Sequence, residues 1–340
     1  MRLVAIAAAL AMALAVGPPA RAAEPYHLRI GWVVVPADVV PLMFLQPGLA
    51  PHAGKTYIPE LIHFAGTSTE MTALATGNLD IAALAYSTFA LGIENAGIGD
   101  LRVIADTFQD GVPGYHTNDF VVRKDSPIHT VADLKGKVLA TNETGSAVDI
   151  AMLAMLAEHH VPTRAVTIIE VRFPDQKAML KEGKVDLIPA VAPFGFDPEL
   201  RAFTRTLFTQ KQAVGRTQMI MQVARAGFLA RHRAAVIDFL EDYLTTLRYL
   251  TDPAHHDAVV RLVTRVTRQP AALYQGWIFT RRDYYRDPDG LPDLSALQAN
   301  VDLEHRLGFL RAALDVKKYA DLDLVRTAAR RLAPAPQRSQ

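Results

Sequence analysis

Thr141-Asn142-Glu143-Thr144-Gly145-Ser146 is a run of small or polar residues between two apolar segments. Before it lies Lys137–Ala140, which reads as a short strand. Behind it, Ile150, Leu153, Ala154 and Ala157 have helical spacing. A strand that opens through such a loop into a helix start offers chemistry to an anion. The first N–H groups of the helix lack intrahelical partners, and the positive end of the helix dipole points the same way. Capping calls for the same residue types, so this stretch alone leaves a ligand site and a plain cap both open. Glu143 is the odd member. A carboxylate in an anion loop repels the anion unless it points to solvent or meets an amine on the ligand. That argues against an inorganic anion such as nitrate and suits an organic molecule with an acid group better.

A second place has the same grammar. Tyr57–Phe64 reads as a strand and is followed by Ala65-Gly66-Thr67-Ser68-Thr69-Glu70, small and polar again. A helix is expected from about Met71 to Thr76, with Thr67 and Glu70 at capping-box spacing. Gly77 ends it, Asp80–Ala85 is a strand, and Tyr86-Ser87-Thr88 opens the next helix. Residues 73–81 and 179–187 repeat leucine, glycine and aspartate at matching spacing, each time where a helix ends and a strand begins. This points to two similar α/β lobes, although common βα grammar produces such matches too.

Other chemistries find little footing. His159-His160 and His255-His256 are sequence neighbours, which do not share a helix face, and no third ligand is spaced for a metal. They are expected at the surface. Arg261, Arg265 and Arg268 read as a solvated helix face. No phosphate loop or dinucleotide fingerprint is present. The chain has no cysteine, which excludes disulfides, thiolate metal sites and cysteine nucleophiles.

The elements that must position these loops follow in order. Leu28–Val33 alternates apolar and polar as a strand and turns at Pro36. Val39–Leu45 is helical, and Leu101–Ala105 is a strand. Gly111–Asn118 is irregular. Phe120–Val122 is a strand broken by Ser126-Pro127. Thr130 and Asp133 cap a short helix that Gly136 ends. Val166–Val171 is a strand, Pro174 starts a helix that ends at Gly183, and Val185–Ile188 is another strand. After the strand Thr217–Val223 the chain is helical. Val236, Leu240, Tyr243, Leu247 and Leu250 share one face. Val259, Leu262, Val263 and Val266 mark a helix that stops before Pro270. Leu294–Leu314 and Leu322–Leu332 add two more.

At the start, Met1-Arg2-Leu3, the apolar run Val4–Val16, Gly17-Pro18-Pro19 and Ala20-Arg21-Ala22 have the charge, core and cleavage order of a secretory signal, too short to span a bilayer. The mature chain is expected to begin near Ala23. The rest of the 340 residues suffices for two domains, and 50% hydrophobic residues can build a sizeable core. Lys and Arg (36) balance Asp and Glu (35), so composition gives no reason to expect nucleic acid or a membrane surface as partner.

With these residues in view, the chain resembles the periplasmic substrate-binding proteins of ABC importers, in the nitrate, sulfonate and taurine group. The marks are L-R-I-G at 28–31, A-L-A-T-G-N-L-D-I-A at 73–82, V-R-K-D-S-P-I-H-T-V-A-D-L-K-G-K-V-L-A at 122–140, T-G-S at 144–146 and D-L-D-L-V at 321–325. The resemblance covers nearly the whole mature chain. It implies an α/β, two-lobed periplasmic binding protein fold of type II, each lobe a mixed sheet flanked by helices, with the ligand in a cleft between lobes. On this basis 1–22 is the signal peptide, 23–112 with 219–332 form lobe 1, 113–218 form lobe 2, and 333–340 are a disordered tail. The crossings lie near Gly111–Phe120 and Gln210–Val223.

Carried onto this sequence, the ligand-binding residues are Gly66, Thr67 and Ser68, then Tyr86 and Ser87, from one lobe. The other lobe gives Asn142, Thr144, Gly145 and Ser146, with Pro193 and Phe194 after the Asp186 strand. Trp32, at the end of the first strand, is placed at the same cleft; Trp32 and Phe194 fit a lobe core equally well. The implied function is capture of a small organic anion (a sulfonate, taurine-like or carboxylate compound) in the periplasm and delivery to a membrane permease and its ATPase. No catalysis, metal or cofactor is expected, and the protein is expected to be a monomer. Two alternatives share the fold: a sensory protein docking on a receptor kinase or chemoreceptor, and a pyrimidine-precursor-binding protein or synthase. The synthases carry a cysteine-rich motif that this chain lacks.

Overall fold

The computed structural model describes residues 24–333 except Ala96. The expected signal peptide and the tail beyond Ala333 lie outside the described residues.

Two sheets organise the chain. In the first, β1 (Tyr26–Trp32) lies between β2 (Tyr57–His63) and β3 (Ile81–Ala85), all parallel. Antiparallel β10 (Thr217–Arg225) follows, then β4 (Leu101–Asp110) at the far edge. In the second, β5 (Asp119–Arg123) lies between β8 (Ile188–Ala190) and β9 (Thr204–Thr209), antiparallel to both. Parallel β6 (Val138–Thr141) and β7 (Thr167–Glu170) join that sheet through a bridge between Leu139 and Leu187. The chain thus leaves the first sheet at Asp110, enters the second at Asp119, and returns from Thr209 to Thr217.

Helices cover both sheets. They are α1 (Val40–Met43), α2 (Thr67–Ala75), α3 (Tyr86–Asn95), α4 (Ala147–Glu158), α5 (Phe173–Lys181), α6 (Pro198–Phe203), α7 (Gln210–Val214), α8 (Ala226–Thr251), α9 (His256–Thr267), α10 (Leu294–Arg306) and α11 (Asp323–Arg331). The helical face read on α8 is the buried one: Val236, Leu240, Tyr243, Leu247 and Leu250 are all at most 2% exposed. Each such side chain contributes about 1.5–3 kcal/mol by leaving water. The Thr130–Asp133 capping box is formed, and Gly136 takes φ +75° after it.

Three expectations are corrected. Helix α2 starts at Thr67, not Met71, and its N-cap is Gly66. Glu70 makes no capping box there: it is fully buried, and its Oε1 accepts the Ala83 N–H at 2.6 Å. It fits because Gly31 has no Cβ, which would overlap the carboxylate. The expected strand Val185–Ile188 is displaced to Ile188–Ala190. Pro189 sits in the middle of this short strand, opposite Phe120 of β5. Helix α10 stops at Arg306 instead of Leu314, since Gly308 follows at φ +80°. The histidine pairs lie at the surface as expected: His159 and His160 are exposed, and His255, its side chain 41% exposed, stacks on Tyr249 with centroids 4.1 Å apart.

Candidate functional site

The two small, polar loops meet. Gly66–Thr69 opens α2 in the first lobe, and Asn142–Ser146 opens α4 in the second. Ser68 Oγ lies 3.5 Å from the Thr144 carbonyl, Ser87 Oγ donates to the Gly145 carbonyl at 2.9 Å, and the Tyr86 hydroxyl lies 3.4 Å from the Ala147 carbonyl. These bonds cross from one lobe to the other.

Several N–H groups that the sequence offers to a ligand are bonded to the protein's own carboxylates. The Ser68 N–H donates to Glu143 Oε2 at 2.9 Å, and the Thr69 hydroxyl lies 3.3 Å from Oε1. Glu143 therefore points neither to solvent nor at a ligand but at the start of α2. Glu170, at the end of β7, accepts both the N–H and the hydroxyl of Thr144 at 2.8 and 2.7 Å. The Thr144 hydroxyl and N–H hold the Glu170 carboxyl below its usual range. Asp149 accepts the Gly145 N–H at 2.9 Å, while burial pushes its own carboxyl up. Ser146 caps α4, accepting from the Asp149 N–H at 3.3 Å and donating to Asn142 Oδ1 at 2.9 Å.

Behind this contact lies a cavity of about 80 Å³. A water needs roughly 10–15 Å³ on the same measure, so there is room for several small groups. Gly66 and Thr67 line it from the first lobe, and Asn142, Ser146, Ala147 and Val148 from the second. Ser146 N–H is taken by the Glu143 carbonyl and Asp149 N–H by Ser146. Ala147 and Val148, in the first turn of α4, and Thr67, in that of α2, line the cavity, and the leading N–H groups of a helix have no intrahelical partner. Phe108, Phe173 and Tyr284 add aromatic walls, and no lysine, arginine or histidine lines the cavity among the described residues.

Of the residues named from sequence, Gly66, Thr67, Asn142 and Ser146 line this cavity. Ser68, Tyr86, Ser87, Thr144 and Gly145 sit in the contact between lobes. Pro193 and Phe194 line a neighbouring pocket with Val35, Tyr274 and the α5 residue Lys177, and Phe173 is shared between the two. Trp32 is half-buried and packs on His63, ring centroids 4.3 Å apart.

Sequence reasoning missed Asp38, Asn118 and Tyr284. Asp38 follows the turn after β1, and its Oδ2 accepts the N–H groups of Val33 and Val34 at 2.8 and 3.0 Å. Burial pushes its carboxyl up to about 6, against those two bonds and Arg286. An aspartate just past the carboxyl end of a parallel strand was the available signal. Asn118 and Tyr284 gave none. One further cluster, His52, Asp238 and Glu241, could in principle meet a metal. Its two carboxylates instead pair with Arg331 at 2.7 and 3.4 Å, and His52 bonds Asp242.

The family model described as NMT1/THI5 like matches residues 60–255. Among solved structures the chain is similar to the alkanesulfonate-binding protein SsuA of Xanthomonas axonopodis pv. citri bound to MOPS: TM-score 0.70, 20% identity, 88% of this chain and 100% of that one. It is also similar to the periplasmic nitrate-binding protein NrtA of Synechocystis PCC 6803: TM-score 0.70, 16% identity, 91% and 89%. A third is the desulfurization enzyme DSZB: TM-score 0.63, 16% identity, 90% and 99%. The shared fold is the type II periplasmic binding protein fold, and it serves both binding proteins and an enzyme.

Proposed function

We propose, on the premise that this chain belongs to the NMT1/THI5-like family, that it is the solute-binding component of an ABC importer. In this reading it captures a small organic molecule bearing an acid group, a sulfonate, taurine-like or carboxylate compound, in the periplasm. It hands that solute to a permease and its ATPase, acts as a monomer, and transforms nothing. The lobes divide as 23–112 with 219–332 and 113–218, and a signal peptide is removed near Ala23. Mass spectrometry of periplasmic protein checks that N-terminus. No helix among the described residues is long and apolar enough to cross a membrane.

The observation that carries the reading is the cavity walled by the first turns of α2 and α4, one from each lobe. The acid group sits at the first turns of α2 and α4, at Thr67, Ala147 and Val148, where backbone N–H groups supply donors without a buried cation. A ligand touching both lobes favours the closed state by its differential contacts. The absence of cysteine supports binding over sulfur chemistry of the cysteine type.

A thermal-shift screen of sulfonates, aliphatic and aromatic carboxylates, nitrate and pyrimidines, followed by calorimetry, tests the reading. The Ile220→Trp variant, which fills the cavity from β10, should abolish binding of any hit. Full affinity in that variant would place the site elsewhere.

A further inference from the structure

Two residues that line the cavity each carry a buried polar atom with no partner among the described residues. Asp38 is 4% exposed, and while its Oδ2 takes two backbone N–H groups, its Oδ1 has no partner. Asn118 is fully buried, and its Nδ2 has no partner either. Both residues line the cavity. Buried polar groups in native proteins are almost always satisfied, so each unsatisfied one calls for an explanation. Two of opposite polarity in one small cavity have a common explanation in a ligand.

The orientation of Asn118 is fixed by a chain of bonds. The Ala192 N–H donates to the Tyr284 hydroxyl at 3.0 Å. That hydroxyl spends its own proton on Asn118 Oδ1 at 2.6 Å. The asparagine oxygen is thereby assigned, and Nδ2 is left as a donor with no partner among the described residues. Asp38 is fixed in the same manner, since the Val33 and Val34 N–H groups both fall on one oxygen and leave the other as a lone acceptor.

We propose that this wall of the cavity is a subsite for an amide group of the ligand: its N–H bonds Asp38 Oδ1, and its carbonyl oxygen accepts from Asn118 Nδ2. The inference rests on the cavity being the solute site, and it adds the part of the solute away from the acid group. A carboxylate or sulfonate at this wall offers no donor to Asp38 and meets its charge. An ammonium offers no acceptor to Asn118. An amide offers both, and it is neutral, in keeping with a wall that has no lysine, arginine or histidine. Phe108, Phe173 and Tyr284 suit an apolar or flat remainder. A site built to bond a ligand N–H rejects the analogue without it strongly, because its own buried group is then left unpaired.

Three isosteres test this on the mature full-length protein: benzamide, with donor and acceptor; acetophenone, with the acceptor alone; and benzoate, an anion. The expected result is benzamide binding at least tenfold tighter than either of the others by calorimetry. In Asp38→Asn the new amide keeps an oxygen for the Val33 and Val34 N–H groups and turns a donor into the cavity. The benzamide preference over acetophenone should then disappear. The wild-type ranking needs no variant, so a misfolded Asp38→Asn leaves the test intact. Equal binding of benzamide and acetophenone, or a benzamide preference unchanged in Asp38→Asn, overturns the subsite. Benzoate binding best, and lost in Ile220→Trp, overturns the subsite while the solute-binding reading stands. No binding of any probe at millimolar concentration overturns the subsite, and it touches the wider reading only if the solute screen fails as well.

Discussion

The Glu143 carboxylate of the second lobe receives the Ser68 N–H of the first at 2.9 Å, across 75 residues of sequence. It occupies the position at the start of α2 where a bound anion would neutralise the helix end. The protein therefore carries its own anion at that terminus, and the bond joins the two lobes.

Removing the charge should loosen the lobes. A charge-assisted hydrogen bond is roughly twice as strong as a neutral one, and a carboxylate at a helix start is worth about 0.3–1 kcal/mol. Glu143→Gln is expected to give a larger radius of gyration in small-angle scattering of the ligand-free protein. An unchanged radius would show that other contacts hold the lobes together.

Gly66→Ala should act on the same bond from the other side. The backbone at Gly66 is extended, φ −172°, and accepts any residue. A Cβ there, however, overlaps the Glu143 carboxylate. The expected outcome is the expansion seen for Glu143→Gln, with unaltered helical circular dichroism. A loss of helix signal instead would mean that α2 itself was damaged.

Ser146→Ala separates capping from binding. Its hydroxyl is already engaged with the Asp149 N–H and Asn142 Oδ1. Loss of the cap is expected to cost about 1 kcal/mol of stability, read from a denaturant midpoint. A ligand affinity that falls tenfold with stability unchanged would assign the hydroxyl to the ligand.

Glu304 makes stability depend on pH. It is fully buried, both its oxygens lack a partner among the described residues, and burial raises its carboxyl from 4.5 to about 8. The folded state keeps the proton that the unfolded chain releases near 4.5. The stabilisation is thus fully present below that pH and is lost as pH rises through about 8. Melting temperatures of wild type should fall from pH 5 to pH 9, and Glu304→Gln should flatten that fall. Asp106 and Asp110, each pushed up to about 7 by burial, leave a residual slope of the same sign.

What the sequence determined by itself was local. The Thr130–Asp133 box, the Gly136 turn and the buried face of α8 depend on partners within a few residues, so spacing revealed them. The strand, polar loop and helix order of both lobes was legible for the same reason, and with it the two helix starts. Tertiary structure alone decided what those starts meet. Glu143 finds Ser68 in the other lobe, and Glu70 turns inward to Ala83 because Gly31 leaves space. Asn118 takes its orientation from Tyr284, 166 residues away. Such pairings are set by how two sheets and their helices pack, and no periodicity along one segment carries that information. The polar wall of the cavity is therefore a product of the folded chain, assembled from residues that look ordinary one at a time.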